Sequence, residues 1–83
     1  MFDHVKFGVS DFEASKAFFM KALEPLGVRF GAEGHPTYGV ELVSEGDASL
    51  VLFLSSVKPA PLHIAFTAKN RQQVECFYHA ALA

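Results

Sequence analysis

Cysteine is nearly missing from this chain: Cys76 is the only one, which excludes an intrachain disulfide and fits a reducing cytoplasm. Basic residues are scarce too. Seven Lys and Arg against nine Asp and Glu leave a formal charge of −2, a pI near 6.0 and no Lys/Arg run, so nothing marks a nucleic-acid partner. Long apolar runs are lacking; Leu50 to Leu54 is the longest and is far too short to cross a bilayer. The opening Met1-Phe2-Asp3-His4 has neither the basic nor the apolar part of a signal peptide, so the expected location is the cytoplasm. No glycine-rich loop opens a helix as a phosphate cradle would, because Gly31 and Gly34 bracket a turn. Ser, Cys and Lys form no nucleophile constellation, and no low-complexity tract interrupts the chain.

What is abundant is apolar side chain. Of 83 residues 51% are hydrophobic and nine are Phe, more than a small monomer hides easily, and that points to a partner surface. The chain also repeats itself. With residue 63 placed over residue 4, His63-Ile64-Ala65-Phe66-Thr67-Ala68 falls under His4-Val5-Lys6-Phe7-Gly8-Val9. Asn70 then falls under Asp11, Phe77 under Phe18, Tyr78 under Phe19, Ala81 under Ala22 and Leu82 under Leu23. In each copy a period of two is followed by a helical stripe, the pattern of a strand leading into a helix.

Residues 4–9 put Val5, Phe7 and Val9 on one face and His4, Lys6 and Gly8 on the other. Ser10-Asp11-Phe12-Glu13 fits a capping box with Ser10 as the cap. Ser15, Phe18, Phe19, Ala22, Leu23 and Leu26 form one stripe, closed by Pro25 and Gly27. Extended segments are expected over Val28–Glu33, Thr37–Val43 and Ala48–Ser55, separated by Gly34-His35-Pro36 and Ser44-Glu45-Gly46-Asp47. The last of these is apolar on both faces, as a strand covered on both sides would be. In the second copy Asn70 is the expected cap, with Gln73 three residues on, and Val74, Phe77, Tyr78, Ala81 and Leu82 form the stripe. The expected architecture is α+β: a complete βαβββ module over 1–56, a linker over 57–61 and the strand–helix start of a second module over 62–83.

This order resembles the vicinal oxygen chelate superfamily, the group of glyoxalase I, bleomycin-resistance proteins and extradiol dioxygenases. The resemblance is carried by residues 3–11, Ser15-Lys16-Ala17-Phe18-Phe19, Leu23-Glu24-Pro25-Leu26-Gly27 and residues 62–68, and it runs along the whole chain. It implies two modules set edge to edge, their sheets curled into a cup with helices on the outer face. By position His4 and His63 match the two first-strand histidines that in that family bind a divalent metal (Zn, Fe, Mn or Ni) for chelation of a small oxygenated substrate. Two departures bear on activity. The expected carboxylate in Ala48–Ser55 is absent, because that stretch holds only Ala, Ser, Leu, Val and Phe. The chain also ends before the strand that supplies a second carboxylate. Glu41 and Glu45 are the nearest substitutes, so one chain offers an incomplete ligand set.

Two functions follow as expectations. One is a metal-dependent lyase or dioxygenase, with the metal on His4 and His63 acting as Lewis acid. The other is a metal-free module, binding a small molecule or purely structural, whose cup is lined by Tyr38, Leu50, Leu52 and Phe53. Both leave strand edges bare, so a homodimer is expected, with residues 62–83 as a segment the two chains can exchange. Set against these are plainer readings. His4 and His63 also suit half-buried imidazoles bonded to backbone or water; His35 suits a solvated loop, and His79 and Cys76 lie off the helical stripe.

Overall fold

The computed structural model describes residues 2–58 and 61–83; Met1 and, within the expected linker, Pro59 and Ala60 lie outside the described residues. The first strand, β1 (His4–Val9), runs into helix α1 (Phe12–Leu23). Asp11 caps that helix, its Oδ1 accepting from the backbone N–H of Ala14 at 3.1 Å. The cap therefore sits one residue later than Ser10, the residue expected to hold it. A single 3-10 turn over Glu24–Leu26 continues the helix until Gly27 takes a left-handed φ of 84°. There the N–H groups of Gly27 and Val28 donate to the carbonyls of Glu24 and Leu23 at 2.9 and 3.3 Å, closing the helix end.

Three strands follow: β2 (Arg29–Glu33), β3 (Val40–Val43) and β4 (Ser49–Leu54). Together with β1 they form one mixed sheet in the order β1-β4-β3-β2. β4 runs parallel to β1, with Phe7 beside Leu52, and antiparallel to β3, with Val40 beside Leu52. β3 begins three residues later than the expected Thr37. Residues 35–39 instead form a turn, in which the His35 carbonyl accepts from the N–H groups of Tyr38 and Gly39 at 2.8 and 2.9 Å. The turn is tied to the sheet by the Leu54 N–H, which donates to the Pro36 carbonyl at 2.8 Å.

The core lies between α1 and one face of this sheet. Phe12 and Leu23 of the helix side are buried against Val40, Leu42 and Leu52, with Phe7, Val9, Phe19 and Leu50 packed around them. Leu52, expected to line the cup, is 0% exposed and belongs to this core, and Leu50 packs with it. The physical reason is the pleat. A strand that is apolar on both faces does not reveal which face the helix covers, and register with Val40 and Phe7 sends Leu50 and Leu52 toward α1. Phe18, expected on the buried stripe, is 47% exposed, while its neighbour Phe19 meets Phe7 edge-on with ring centroids 6.0 Å apart.

The second copy of the repeat is only half realised. Helix α2 spans Arg71–Leu82, and its cap Asn70 accepts from the Gln73 N–H at 2.9 Å. The Gln73 side-chain oxygen in turn accepts from the Lys69 N–H at 2.7 Å, the reciprocal arrangement of a capping box shifted back one residue. Residues 61–68, however, form no strand. A β-strand exists only through hydrogen bonds to a neighbour, and among the described residues none lies alongside this segment. α2 therefore has no sheet to cover and rests on α1 and the 3-10 turn. Phe77 reaches the core, while Val74, Tyr78 and Leu82 of the expected stripe are 53%, 59% and 68% exposed. Among the described residues no helix is long and apolar enough to cross a membrane.

Candidate functional site

The face of the sheet away from α1 carries no covering layer among the described residues. Alternation along the strands places His4, Lys6 and Gly8 of β1 on it, beside Ser49, Val51 and Phe53 of β4 and Glu41 and Val43 of β3. Contacts across the strands agree with that placement. The Lys6 ammonium stands 4.7 Å from the centre of the Phe53 ring. The Ser49 hydroxyl donates to Glu41 Oε2 at 2.7 Å.

Lys6 lies where the loop between β2 and β3 meets the face. Its Nζ makes a long hydrogen bond of 3.4 Å to the Tyr38 carbonyl. Beside it, Phe53 has room for its ring because its partner in register is Gly8: a Cβ there would stand 3.3 Å from Phe53 Cζ and 2.7 Å from Ser55 Cβ. Tyr38 is 74% exposed and meets the His35 ring edge-on, centroids 6.4 Å apart. His35 spends its Nδ1 on Thr37, accepting from the backbone N–H at 3.2 Å with the hydroxyl 2.9 Å away, so it shapes the turn.

His4 begins the same face. Its Nδ1 is 2.9 Å from Asp3 Oδ2, and because a carboxylate only accepts, that nitrogen is the donor of the pair. The pair is open to water, the imidazole being 52% exposed. No hydrogen bond joins His4 to Ser49, its neighbour in register, and the Ser49 proton is engaged by Glu41, so no Ser–His relay is assembled.

The second expected ligand is not brought to this face within the chain. His63 is exposed and lies in the segment that forms no strand. Shortly after it, Ala65 and Phe66 help line a cleft of about 230 Å³ with Leu23, Leu26, Leu42 and Leu50, on the α1 side of the sheet. His4 projects from the opposite side. The match in register predicted equivalent directions for the two rings, and it fails because only the first copy has a strand to define a direction.

Among the described residues no three His, Cys, Asp or Glu side chains gather closely enough to hold a metal ion. A site with three protein ligands therefore does not fit the donors of one chain. A wide concavity, about 1420 Å³ and open to solvent, lies elsewhere, beyond the ends of β1 and β4. Among the described residues that line it, Lys58 alone is ionisable.

No protein-family model matches the chain, and no curated protein sequence matches it.

The open face thus holds an ammonium over an aromatic ring, a second exposed aromatic at its edge, and a serine–glutamate pair whose carboxylate is two strands from the lysine. The sequence reading named Tyr38 and Phe53, and Glu41 as a substitute metal ligand, but passed over Lys6 and Ser49. The period-two pattern already put Lys6 on the face of His4; that signal was present and unused.

Proposed function

We propose that this chain is a small-molecule-binding module of the glyoxalase and bleomycin-resistance type, located in the cytoplasm and working without a metal of its own. It takes a small, oxygenated, partly aromatic molecule on the open face of its sheet. The observation that carries this reading is the division of the sheet: one face is closed by α1, and the other presents Lys6, Phe53 and Glu41 to solvent beside the exposed Tyr38. A single open face is shallow, so the reading includes a homodimer in which two such faces, or a face and an exchanged segment 62–83, enclose the ligand. Unpaired outer edges on β1 and β2 and the exposed Leu62, Val74 and Leu82 are consistent with such a partner.

A metal-dependent lyase or dioxygenase is the second reading. One observation favours it: Asp3 orients the His4 ring as carboxylates orient metal-binding imidazoles. Zn, Fe, Mn or Ni would then need ligands from a second chain.

Metal analysis separates the two. Protein purified without chelator, and its His4→Ala and His63→Ala variants, are expected to carry no stoichiometric metal and to fold alike. One metal per chain, lost in both variants, overturns the binding reading in favour of the enzyme. Titration with catechol, a neutral ligand with vicinal oxygens, is expected to shift the backbone amide resonances of Lys6, Val51 and Phe53. Light scattering at micromolar concentration is expected to give the mass of a dimer, and a well-folded monomer refutes the shared hollow.

A further inference from the structure

Among the described residues two lysines are set over phenylalanine rings, and they differ in one respect. Lys16 of α1 stands 5.3 Å from the centre of the Phe30 ring and donates to both carboxylate oxygens of Glu33 at 2.8 and 2.7 Å. The cation there has its ring and its anion. Lys6 stands 4.7 Å from the Phe53 ring but has no carboxylate within ion-pair distance among the described residues. The carboxylate on its own rung, Glu41 (β1 Lys6 and β3 Glu41 both register with Val51), is two strands away, about 10 Å by the strand spacing, and is turned to the Ser49 hydroxyl at 2.7 Å. An ammonium has three donors; one goes to the Tyr38 carbonyl in a long bond and the ring face takes a second direction, which leaves the third for an anion.

We infer that Lys6 and Phe53, with the exposed Tyr38 at the rim, form a subsite for an aromatic carboxylate. The ligand's carboxylate takes the place at Lys6 that Glu33 holds at Lys16, and its ring lies against Tyr38. Phe53 holds the ammonium in position and shields one side of it from water, which strengthens its attraction for the anion. This assignment rests on the open-face binding reading above and adds to it the charge of the ligand.

The test is a titration of the isotopically labelled full chain with benzoate and, separately, with benzamide, its uncharged counterpart, at constant ionic strength. Benzoate is expected to shift the resonances of Lys6, Val51, Phe53 and Tyr38 saturably and to bind about three- to fivefold more tightly than benzamide, the range an exposed ion pair supplies. Lys6→Gln is expected to abolish the preference and Lys6→Arg to retain it, each with the remaining spectrum unchanged. Equal affinity for the two probes overturns the carboxylate subsite while leaving the binding face standing. Shifts centred on Arg29 or on the helices overturn the subsite as well. The absence of saturable shifts on this face with either probe, and with catechol, overturns both the subsite and the binding reading.

Discussion

Leu52 and Phe53 are adjacent in β4 and similar in hydrophobicity, yet truncating them should have very different consequences. Leu52 sits at the centre of the sheet, with Phe7 and Val40 beside it in register and no exposed surface. Leu52→Ala removes three carbons from a site walled by strands on both sides and α1 above, so little collapse can fill the hole. Buried Leu→Ala changes cost about 2 to 5 kcal/mol, and a site this enclosed belongs near 3.5 kcal/mol. Against a total of roughly 5 to 15 kcal/mol, at the low end for a chain this short, about half the stability is lost. At about 4 to 8 °C per kcal/mol the melting temperature should fall by roughly 14 to 28 °C. Phe53→Ala deletes a half-exposed ring and its contact with the Lys6 ammonium, a loss of about 1 kcal/mol. Urea unfolding followed by far-ultraviolet circular dichroism, at one protein concentration so that any association is held constant, measures both. A Leu52→Ala variant within about 1 kcal/mol of the parent, or a Phe53→Ala variant that is the weaker of the two, would show that the faces of β4 have been assigned the wrong way round.

The Lys16–Glu33 hydrogen bond, with the charges of Glu33 and Glu13 adding to it, holds the Lys16 ammonium above its ordinary pKa of 10.5 despite the opposing cost of desolvation. Its contribution is therefore complete below pH 10.5 and is lost as pH rises through the higher folded value; the stability gap between the parent and Lys16→Met should be constant near neutrality and narrow only above pH 10.5. A gap that narrows on acidifying from pH 9 to 7 instead contradicts that sign. Gly39 has a φ of 107° and a Cβ there would run into the carbonyl oxygen of Leu52, whereas Gly27 has a φ of 84° and open space around it. Gly27→Ala should cost about 1 kcal/mol from backbone strain alone and Gly39→Ala clearly more than about 2 kcal/mol, with loss of protection from hydrogen exchange at the Leu54 amide. Asp11→Ala should cost about 1 kcal/mol in thermal melts and Ser10→Ala less than about 0.5 kcal/mol; the reverse order would restore Ser10 as the helix cap.

The helices were the most legible part. Both span twelve residues, Phe12–Leu23 and Arg71–Leu82, and their caps Asp11 and Asn70 are the pair that the internal repeat places in register. Capping and periodicity act within a few residues, so they leave a local imprint that one sequence displays. The polar face of β1 was readable for the same reason. The stripe on α2 was only partly so: the pattern marks which side chains share a face, but Tyr78 and Leu82 are exposed because nothing in the described chain covers that face.

Residues 63–68 carry a strand-like pattern and form no strand, so within the chain no strand aims His63 toward the face of His4. Likewise, Leu50-Val51-Leu52-Phe53 alternates between two apolar faces, and only register against β1 and β3 decides that Leu52 is core and Phe53 is surface. The sequence by itself determined, to within a few residues, where the chain turns and where its helices start and stop, and which side chains alternate along each element. The tertiary structure alone decided which extended segment becomes a strand, which face of the sheet is buried, and that Lys6 lies over Phe53 without a carboxylate. Helix signals are satisfied by hydrogen bonds within one segment, whereas a strand and its faces are defined by neighbours distant in sequence, and only folding supplies those.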